Sequence, residues 1–573
     1  MVRKIQKMDS FYKRTTVMTV VLFVMFGIVI FKFFRLQILG GSQARLRAKD
    51  QHIVVKKLFP SRGEIKIFDP GSPGGYTVAT NTKNFFVYAV PPRILSSKLT
   101  APILASVLNL KEAEVLEKIS SQQKKYVILK KQISMEEQGK LMELKLAGVY
   151  LDAEEARYYP EKNFLSQTLG FVGYKEEKRL GLYGLEKKFE AELAGKPGFL
   201  NEEKDISGAW IFGGKRDILP AEDGANLILT IDKSIQFKVE TVLKNTVEKH
   251  GADSGAIVVL NPRTGAILAL AGYPNFDPNE YNKEKNLGVY RNKAVVESYE
   301  PGSIFKAITM AAAINEGKVS PDTTYNDKGN IFIDGYNIKN ADKKVHGIQT
   351  MVQVLEESLN TGAIFAKEQI GNKKFLEYVK KFGFGELTGV ELSEAKGDLG
   401  GLAGNIGVNY HNASFGQGIS VTVLQMLKAF TALANGGKIM KPYLVQSKIY
   451  SDGRVENTEA KVEIQVINPE TAGTINSMLI QVVENGHGKK ARVPGYYIAG
   501  KTGTAQVASK GGYDPNNNIG SFIGYGPANN PQFLMLVRID HPRDVRFAEV
   551  TAAPAFGEIA QFILNYLRIP PNR

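Results

Sequence analysis

The chain has 573 residues, a formal net charge of +15 at pH 7, and a hydrophobic fraction of 43%. This length exceeds one ordinary domain and predicts two or three. There is no cysteine, which excludes disulfides, thiol catalysis and zinc–thiolate centres. The histidines are scattered without a metal-binding spacing, so we expect neither a metal site nor a cofactor.

A basic segment followed by an apolar run opens the chain. Apolar residues 15–31 are flanked by Arg3, Lys4, Lys7, Lys13, Arg14, Lys32 and Arg35. The run is short for a membrane span, but flanking basic side chains can extend it. A cleaved signal peptide is the alternative, although the run is long for one and no small-residue cleavage site follows. We predict a cytoplasmic tail at 1–14, a single transmembrane anchor at 15–36 in the plasma membrane, and all later residues outside it.

The basic excess raises the possibility of a nucleic-acid partner. The basic residues are spread along the chain, and the sequence contains no recognised nucleic-acid motif. Anionic lipid headgroups or cell-wall polymers account for the charge more simply. We therefore predict no nucleic-acid partner.

Residues 50–220 alternate short β-like and charged helical segments. The β-like segment 85–90 contrasts with helical segments 111–118 and 135–146. No residue here is predicted to carry chemistry. We interpret this region as a mixed, non-catalytic pedestal domain that holds the following domain away from the bilayer.

A second domain is predicted at 223–570. Apolar segments 256–260 and 266–270 flank a Pro/Gly turn and indicate a β-hairpin. Segments 520–526 and 533–539 indicate later strands, and the apolar spacing from Phe556 to Leu567 indicates a closing helix. Residues 507–518, rich in Gly and Asn, are predicted to form a mobile loop. This order favours an α/β and α+β fold, with a sheet flanked by helices.

Three short motifs in this domain carry the predicted chemistry. In the first, Ser303 and Lys306 are three residues apart at the start of an apolar helix, so the amine can lie beside the hydroxyl. Lysine activates a serine only if burial or a nearby cation lowers its pKa. In the second motif, Ser358 offers a hydroxyl that can relay a proton, and Asn360 offers an amide that can orient substrate and lysine.

The third motif, Lys501-Thr502-Gly503-Thr504, follows an apolar stretch and is predicted to lie on a strand. Lys501 and Thr502 can hold a substrate carboxylate, Gly503 allows a close backbone approach, and Thr504 can donate an N–H to an oxyanion. S-x-x-K at a helix start is common, and each of the other motifs alone is uninformative. Together, in this order, they predict one active site for serine acyl transfer.

These residues resemble the class B penicillin-binding proteins, the monofunctional peptidoglycan D,D-transpeptidases. The resemblance covers nearly the whole chain, and two departures, Ile304 for threonine and Val423 for proline, touch no reacting group. The matching segments are residues 62–65, 157–160, 184–186, 229–232, 300–303, 414–418 and 499–506.

The resemblance implies a serine acyl-enzyme on Ser303 that cross-links peptidoglycan stem peptides and is blocked by β-lactams. It implies lipid-linked precursor and nascent glycan strands as substrates. The implied partners are other division proteins and a multispanning glycosyltransferase of the shape, elongation, division and sporulation class. Tyr299-Glu300, the stretch 415–418 and the lack of long insertions resemble the division type of the family, and this resemblance favours septal over side-wall synthesis.

Other functions for such a domain remain open. A serine β-lactamase shares the first motif but is usually a compact soluble domain of about half this length. A β-lactam sensor needs cytoplasmic signalling machinery, and few residues precede the span. A scaffold without turnover conflicts with three intact motifs.

Overall fold

The computed structural model of this chain describes residues 2–39, 53–121, 123–176, 178–203, 216–333, 335–404, 406–509, 512–545 and 547–573. Met1 and residue 50, at which two predicted segments begin, lie outside these residues. The chain forms two compact units. One comprises Met1–Pro60 and Gly195–Glu222, and the other comprises Ser61–Ala194 and Asp223–Arg573.

The strands, in chain order, are β1 Ile53–Leu58, β2 Ile65–Phe68, β3 Tyr76–Ala89, β4 Val127–Lys130, β5 Val149–Tyr158, β6 Val172–Lys175, β7 Lys178–Gly181, β8 Gly198–Glu203, β9 Arg216–Leu219, β10 Asn226–Asp232, β11 Ser254–Leu260, β12 Ile267–Tyr273, β13 Thr324–Asp327, β14 Asn330–Ile333, β15 Tyr336–Lys339, β16 Gly347–Thr350, β17 Lys438–Met440, β18 Val445–Ile449, β19 Val455–Asn457, β20 Val462–Gln465, β21 Ala499–Ser509, β22 Gly512–Gly526 and β23 Phe533–Asp540. The α-helices are α1 Val2–Phe34, α2 Ser97–Leu108, α3 Glu112–Ser120, α4 Met135–Leu144, α5 Ser166–Leu169, α6 Gly184–Lys188, α7 Glu190–Leu193, α8 Lys233–Lys249, α9 Lys293–Val296, α10 Lys306–Asn315, α11 Met351–Glu356, α12 Asn360–Lys381, α13 Gly407–Ser414, α14 Val423–Ala434, α15 Pro469–Glu484 and α16 Ala552–Tyr566. Short 3₁₀ turns lie at Pro91–Arg93, Pro278–Lys283, Leu287–Tyr290, Gly302–Phe305, Gly400–Leu402 and Lys489–Ala491.

The first unit contains an apolar helix and a small sheet. Within α1 and the π-helical turn Arg35–Leu39, the stretch Phe11–Ile38 is exposed and contains an 18-residue window with a mean hydropathy of 2.6. Strands β1, β8 and β9 form an antiparallel sheet in that order. The helix is long and apolar enough to cross a bilayer once, as an N-terminal anchor would.

In the second unit, one mixed sheet joins the predicted pedestal to the C-terminal half. Its order is β19-β18-β10-β2-β3-β4, and β5 pairs with β3. Strand β2 runs parallel to β10, with Ile65 opposite Leu227. Helices α2, α3 and α4 cover one end of the sheet through an apolar cluster that includes Leu104 and Leu129. The backbone hydrogen bonds between β2 and β10 therefore tie the pedestal region to the C-terminal half.

Three upstream segments that carry the family resemblance meet at one buried carboxylate. Glu186 accepts a hydrogen bond from Arg62 Nε at 2.7 Å and another from Arg157 Nε at 2.7 Å. Arg62 also donates to Glu190 at 2.7 Å, and the Tyr159 hydroxyl lies 3.3 Å from Glu186. Burial opposes ionisation of Glu186, but the two guanidinium groups outweigh it and lower the pKa of this carboxyl.

The predicted strands of the second domain form one antiparallel sheet with the order β12-β11-β23-β22-β21. Every residue of β23 is buried. Met535 and Val537 pack against α8 and α16, while Leu534 and Leu536 belong to the cluster on the opposite side, with α10, α14 and α15. Because successive side chains point to opposite faces, this sheet is covered by helices on both sides.

The prediction of a loop at 507–518 was wrong for the residues that the structure describes, because they form strands. Val507 pairs with Asp514 and Ser509 with Gly512, so β21 and β22 continue as a hairpin, with a register shift after Gln506. Residues 510–511 lie outside the described residues. Gly and Asn have low strand propensity, but pairing that already runs in register along two long neighbouring strands overrides it.

Candidate active site

Ser303 lies in a 3₁₀ turn, Gly302–Phe305, that leads directly into α10. Gly302 has a φ of +58°, and its N–H donates to the Gly416 carbonyl at 3.0 Å. A Cβ on Gly416 would lie 2.2 Å from the Gly302 carbonyl oxygen. Because Gly302 and Gly416 have no side chains, the 414–418 turn packs directly against the residue before Ser303. This contact holds the 3₁₀ turn of Ser303 in place.

Lys306, one helical turn after Ser303, is only 1% exposed. Its amine donates to the Ser358 carbonyl and lies 3.3 Å from Ser358 Oγ. Burial lowers the pKa of Lys306 well below its ordinary value, and the charge of Lys501 lowers it further. The fold thus favours the neutral amine, which is the form that can accept a proton.

Ser358 links the two lysines. It lies between α11 and α12 with a φ of +56°, and Lys501 Nζ lies 3.0 Å from its Oγ. Backbone strain at a non-glycine residue persists only where its surroundings hold it. The positive φ of Ser358 coincides with a position at which its hydroxyl lies within hydrogen-bond distance of the amines of both Lys306 and Lys501.

Lys501 begins the predicted motif on β21 and is fully buried. Burial lowers its pKa to about 7. Its amine also lies 3.2 Å from the Thr502 carbonyl oxygen and 3.5 Å from Thr502 Oγ1. Near neutral pH, neighbouring groups can therefore shift the balance between the charged and neutral forms of the Lys501 amine.

Gly503 allows β21 to approach the Ser303 turn. A Cβ there would lie 2.6 Å from Ser521 Oγ, 2.9 Å from Ile304 Cγ2 and 3.0 Å from the Pro301 carbonyl oxygen. The next residue, Thr504, accepts a hydrogen bond from Ala548 N–H at 3.3 Å through its hydroxyl. A side chain at 503 would thus push the strand away from the serine.

A pocket of about 170 Å³ contains residues from all three motifs, namely Ser303, Ser358, Thr502 and Thr504. A larger cavity, about 870 Å³, lies between β3, β5 and α4 and contains none of them. The smaller pocket is the candidate site because Ser303 and Ser358 both line it and two buried lysine amines lie within 3.3 Å of the Ser358 hydroxyl.

Two of the predicted contacts are not formed. Within the described part of the chain, no hydrogen bond joins Lys306 to Ser303 Oγ; the amine donates to Ser358 instead. Asn360 does not line the pocket, and its amide donates to the Lys339 carbonyl at 2.9 Å. Catalytic hydrogen bonds are often unformed without substrate, so the two roles stay predictions.

The sequence analysis did not identify five further polar or charged residues that line the pocket. They are Asn340, Asp342, Glu357, His487 and Glu549. His487 follows α15 and its side chain is 47% exposed, which agrees with the solvated loop expected around its flanking glycines. No local sequence signal placed it beside Ser303.

Family models match most of the chain. Residues 57–229 match the penicillin-binding protein dimerisation domain, and residues 255–561 match the penicillin-binding protein transpeptidase domain. Among curated proteins, Stage V sporulation protein D of Bacillus subtilis (strain 168) is 35% identical over 97% of this chain and 87% of its own length. Peptidoglycan D,D-transpeptidase FtsI of Buchnera aphidicola subsp. Schizaphis graminum is 28% identical over 100% of this chain and 98% of its own.

Solved structures agree in fold. Penicillin-binding protein 3 from Mycobacterium tuberculosis, complexed with aztreonam, superposes with a TM-score of 0.70 at 25% identity, covering 90% of this chain and 98% of that one. Two matched domains, relatives along the full length and the shared fold all agree. The chain therefore belongs to the class B penicillin-binding proteins, the monofunctional peptidoglycan D,D-transpeptidases.

Proposed function

We propose that this protein cross-links peptidoglycan stem peptides through an acyl-enzyme on Ser303. One observation carries the proposal: Ser358 Oγ lies 3.3 Å from the amine of Lys306 and 3.0 Å from that of Lys501, and both lysines are buried. Such an arrangement can move a proton between a base and a leaving group.

In the first half-reaction, Ser303 Oγ attacks the carbonyl carbon of the penultimate D-Ala of a stem peptide. The Oγ–H proton passes to neutral Lys306 as the C–O bond forms. The C–N bond then breaks, and the proton reaches the departing D-Ala amine through Ser358. An acyl ester on Ser303 and free D-Ala remain, so atoms and charges balance.

The remaining motif residues position the substrate. Lys501, Thr502 and Thr504 bind its terminal carboxylate, and Gly503 keeps β21 near the turn of Ser303. The N–H groups of Ser303 and Thr504 stabilise the oxyanion, a contribution of roughly 10²–10³ in rate per donor. Asn360 orients the substrate amide after leaving its present partner, the Lys339 carbonyl.

We also propose that β-lactams inhibit the enzyme by forming a stable ester on Ser303. The test is a fluorescent penicillin applied to the purified protein, wild type beside Ser303→Ala, followed by mass spectrometry. A slowly hydrolysed adduct on Ser303 alone is expected. Rapid release would favour a β-lactamase, and no adduct on folded protein would favour a scaffold.

A stable β-lactam adduct is expected of a transpeptidase and of a sensor alike, so the adduct does not distinguish them. A cross-linking assay with lipid-linked precursor and nascent glycan strands tests this separately. We expect new cross-links with the wild type and none with Ser303→Ala. An acylated but inactive protein, even with a multispanning glycosyltransferase supplied as partner, would contradict the transpeptidase assignment.

Within the cell we propose a septal role, with other division proteins as partners. Full-length similarity to a protein named for stage V sporulation supports a second candidate, peptidoglycan synthesis during sporulation. Depletion separates the possibilities. Filamentous cells would support septal synthesis, rounded cells would support side-wall elongation, and normal growth with defective spores would support the sporulation role.

We further propose that residues 1–14 lie in the cytoplasm, that 15–36 span the membrane, and that 50–220 and 223–570 form pedestal and transpeptidase domains outside it. The chain has no cysteine, so single replacements report topology cleanly. A membrane-impermeant thiol reagent on intact cells should label Lys461→Cys and spare Lys13→Cys. The reverse pattern would overturn the orientation.

A further inference from the structure

The pocket around Ser303 combines acidic side chains in its lining with two buried lysines nearby. Lys306 and Lys501 are buried and contact Ser358, which lines the pocket. The carboxylates of Asp342, Glu357 and Glu549, which we term the acidic rim, belong to the lining itself. Among the described residues that line this pocket, His487 is the only other titratable side chain.

His487 bridges two members of the acidic rim. Its Nδ1 lies 3.1 Å from Glu549 Oε2, and its Nε2 lies 4.0 Å from Glu357 Oε2. All three side chains are between 40% and 47% exposed, so they are open to an incoming molecule. Asp342 is held separately, at 2.9 Å from His346 Nε2.

The backbone around His487 is tied to the segment that carries Ser358. His487 N–H donates to the Glu356 carbonyl at 3.3 Å. A Cβ on Gly486 would lie 2.5 Å from that same carbonyl oxygen, so the loop after α15 lies against the end of α11. Glu549 is connected to the catalytic strand, because Ala548 N–H donates to Thr504 Oγ1 at 3.3 Å. His487 is therefore held near the segment that carries Ser358, and its partner Glu549 is held near the strand that carries Thr504.

These charges can discriminate between the two substrates of a transpeptidase, the acyl donor and the acyl acceptor. The first substrate ends in a carboxylate, which the charged form of Lys501 attracts and the acidic rim repels. The second substrate brings a primary amine, which is an ammonium in water and becomes positively charged again as its nitrogen attacks. Carboxylates aimed at that nitrogen stabilise the charge that develops.

We propose that His487 is a positioning residue for the second substrate, and that with Glu549 and Glu357 it forms the binding site for the acceptor amine. This inference rests on the proposed transpeptidase function. The ammonium loses one proton to solvent, and its nitrogen lone pair attacks the acyl carbon on Ser303. The C–N bond forms, the C–Oγ bond breaks, and a second N–H proton goes to Ser303 Oγ.

The test separates the two half-reactions in the full-length protein. A thioester donor ending in D-Ala loads Ser303, and D-alanine amide serves as the acceptor probe. The ratio of aminolysis to hydrolysis is measured against acceptor concentration, and acylation by a fluorescent penicillin is measured in parallel. The variants are Glu549→Gln, Glu549→Asp, His487→Gln and the double variant Glu357→Gln/Glu549→Gln. Glu558→Gln, an exposed ion-paired carboxylate on α16, is the matched control.

We expect the acceptor KM to rise about fivefold in Glu549→Gln and roughly tenfold or more in the double variant, with partial recovery in Glu549→Asp. This loss should exceed any loss of acylation, and Glu558→Gln should match the wild type. The inference would be overturned if folded variants kept the wild-type ratio of aminolysis to hydrolysis. Equal losses of acylation and aminolysis would also overturn it. A wild-type protein that forms no acyl-enzyme would instead overturn the proposed function.

Discussion

At the residue scale, the protonation of two neighbouring amines controls the proposed chemistry. Lys306 and Lys501 approach the same hydroxyl, and burial disfavours the charged form of each. Two like charges at this separation also disfavour one another. Both effects therefore favour the neutral form of Lys306, which is the form that a base requires.

Replacing Lys306 by arginine tests the base. Arginine keeps the positive charge but does not deprotonate in proteins, so the acylation rate with fluorescent penicillin should fall by roughly 10²–10⁴-fold. Lys318→Arg, an exposed exchange just after α10, is the control and should acylate normally. Acylation of the Lys306 variant at a near wild-type rate would assign the base elsewhere.

The pH dependence has a defined sign. Acylation requires neutral Lys306, so its rate should fall as pH falls through a midpoint well below the ordinary lysine value. Lys501 contributes to lowering that pKa, so Lys501→Met should move the midpoint upward. Rates measured from pH 5 to pH 10 test both statements. A midpoint that shifts downward in the variant would contradict the coupling between the amines.

At the element scale, the turn at 414–418 holds the Ser303 turn from behind. Gly416 has a φ of +82°, and a Cβ there would lie 2.2 Å from the Gly302 carbonyl oxygen. Neither the backbone conformation nor the available space suits a side chain. The position of the nucleophile thus depends on a glycine more than 100 residues downstream.

We expect Gly416→Ala to lower the free energy of unfolding by about 1–3 kcal/mol and to slow acylation by displacing Ser303. The matched control is Gly473→Ala in α15, where an added Cβ meets no atom within 4 Å. In a helix interior that change should stabilise by about 0.5–1 kcal/mol. Thermal unfolding and penicillin acylation are the measurements. Equal behaviour of the two variants would rule out the close contact.

At the scale of the whole molecule, one buried carboxylate joins separate segments of the pedestal. Glu186 is fully buried and bonded to Arg62 and Arg157, and these three residues come from different parts of the chain. Such a cluster is not necessarily more stable than an apolar core, but removing one partner leaves buried charges unbalanced. The interaction specifies how these segments fit together.

Glu186→Gln should therefore lower the free energy of unfolding by about 3–5 kcal/mol. Glu280→Gln, whose exposed carboxylate pairs with Lys283, is the control and should change it by less than about 0.5 kcal/mol. Because the folded pKa of Glu186 is lowered, the wild type should lose this stabilisation as pH falls through that value. A Glu186 variant as stable as the control would contradict the buried network.

Local patterns predicted the elements well. The apolar run after Ser303, the hairpin around residues 261–265 and the closing helix depend on neighbours a few residues away, and α10, β11–β12 and α16 agree with them. The loop expected at 507–518 is not formed, because pairing between β21 and β22 overrides the weak strand propensity of its Gly and Asn residues. The apolar N-terminal run also extends into a longer helix that begins at Val2.

The sequence by itself determined the order and spacing of the three motifs, the apolar N-terminal segment and the type of most elements. Only the tertiary structure decided that Ser358 lies between Lys306 and Lys501, the latter 143 residues away along the chain. Only the tertiary structure turned Asn360 toward Lys339 and brought His487 and Glu549 into the lining of the pocket. The physical reason is that periodicity reports which face of an element is buried. The partner of a buried or half-buried polar group is chosen by the packing of distant elements.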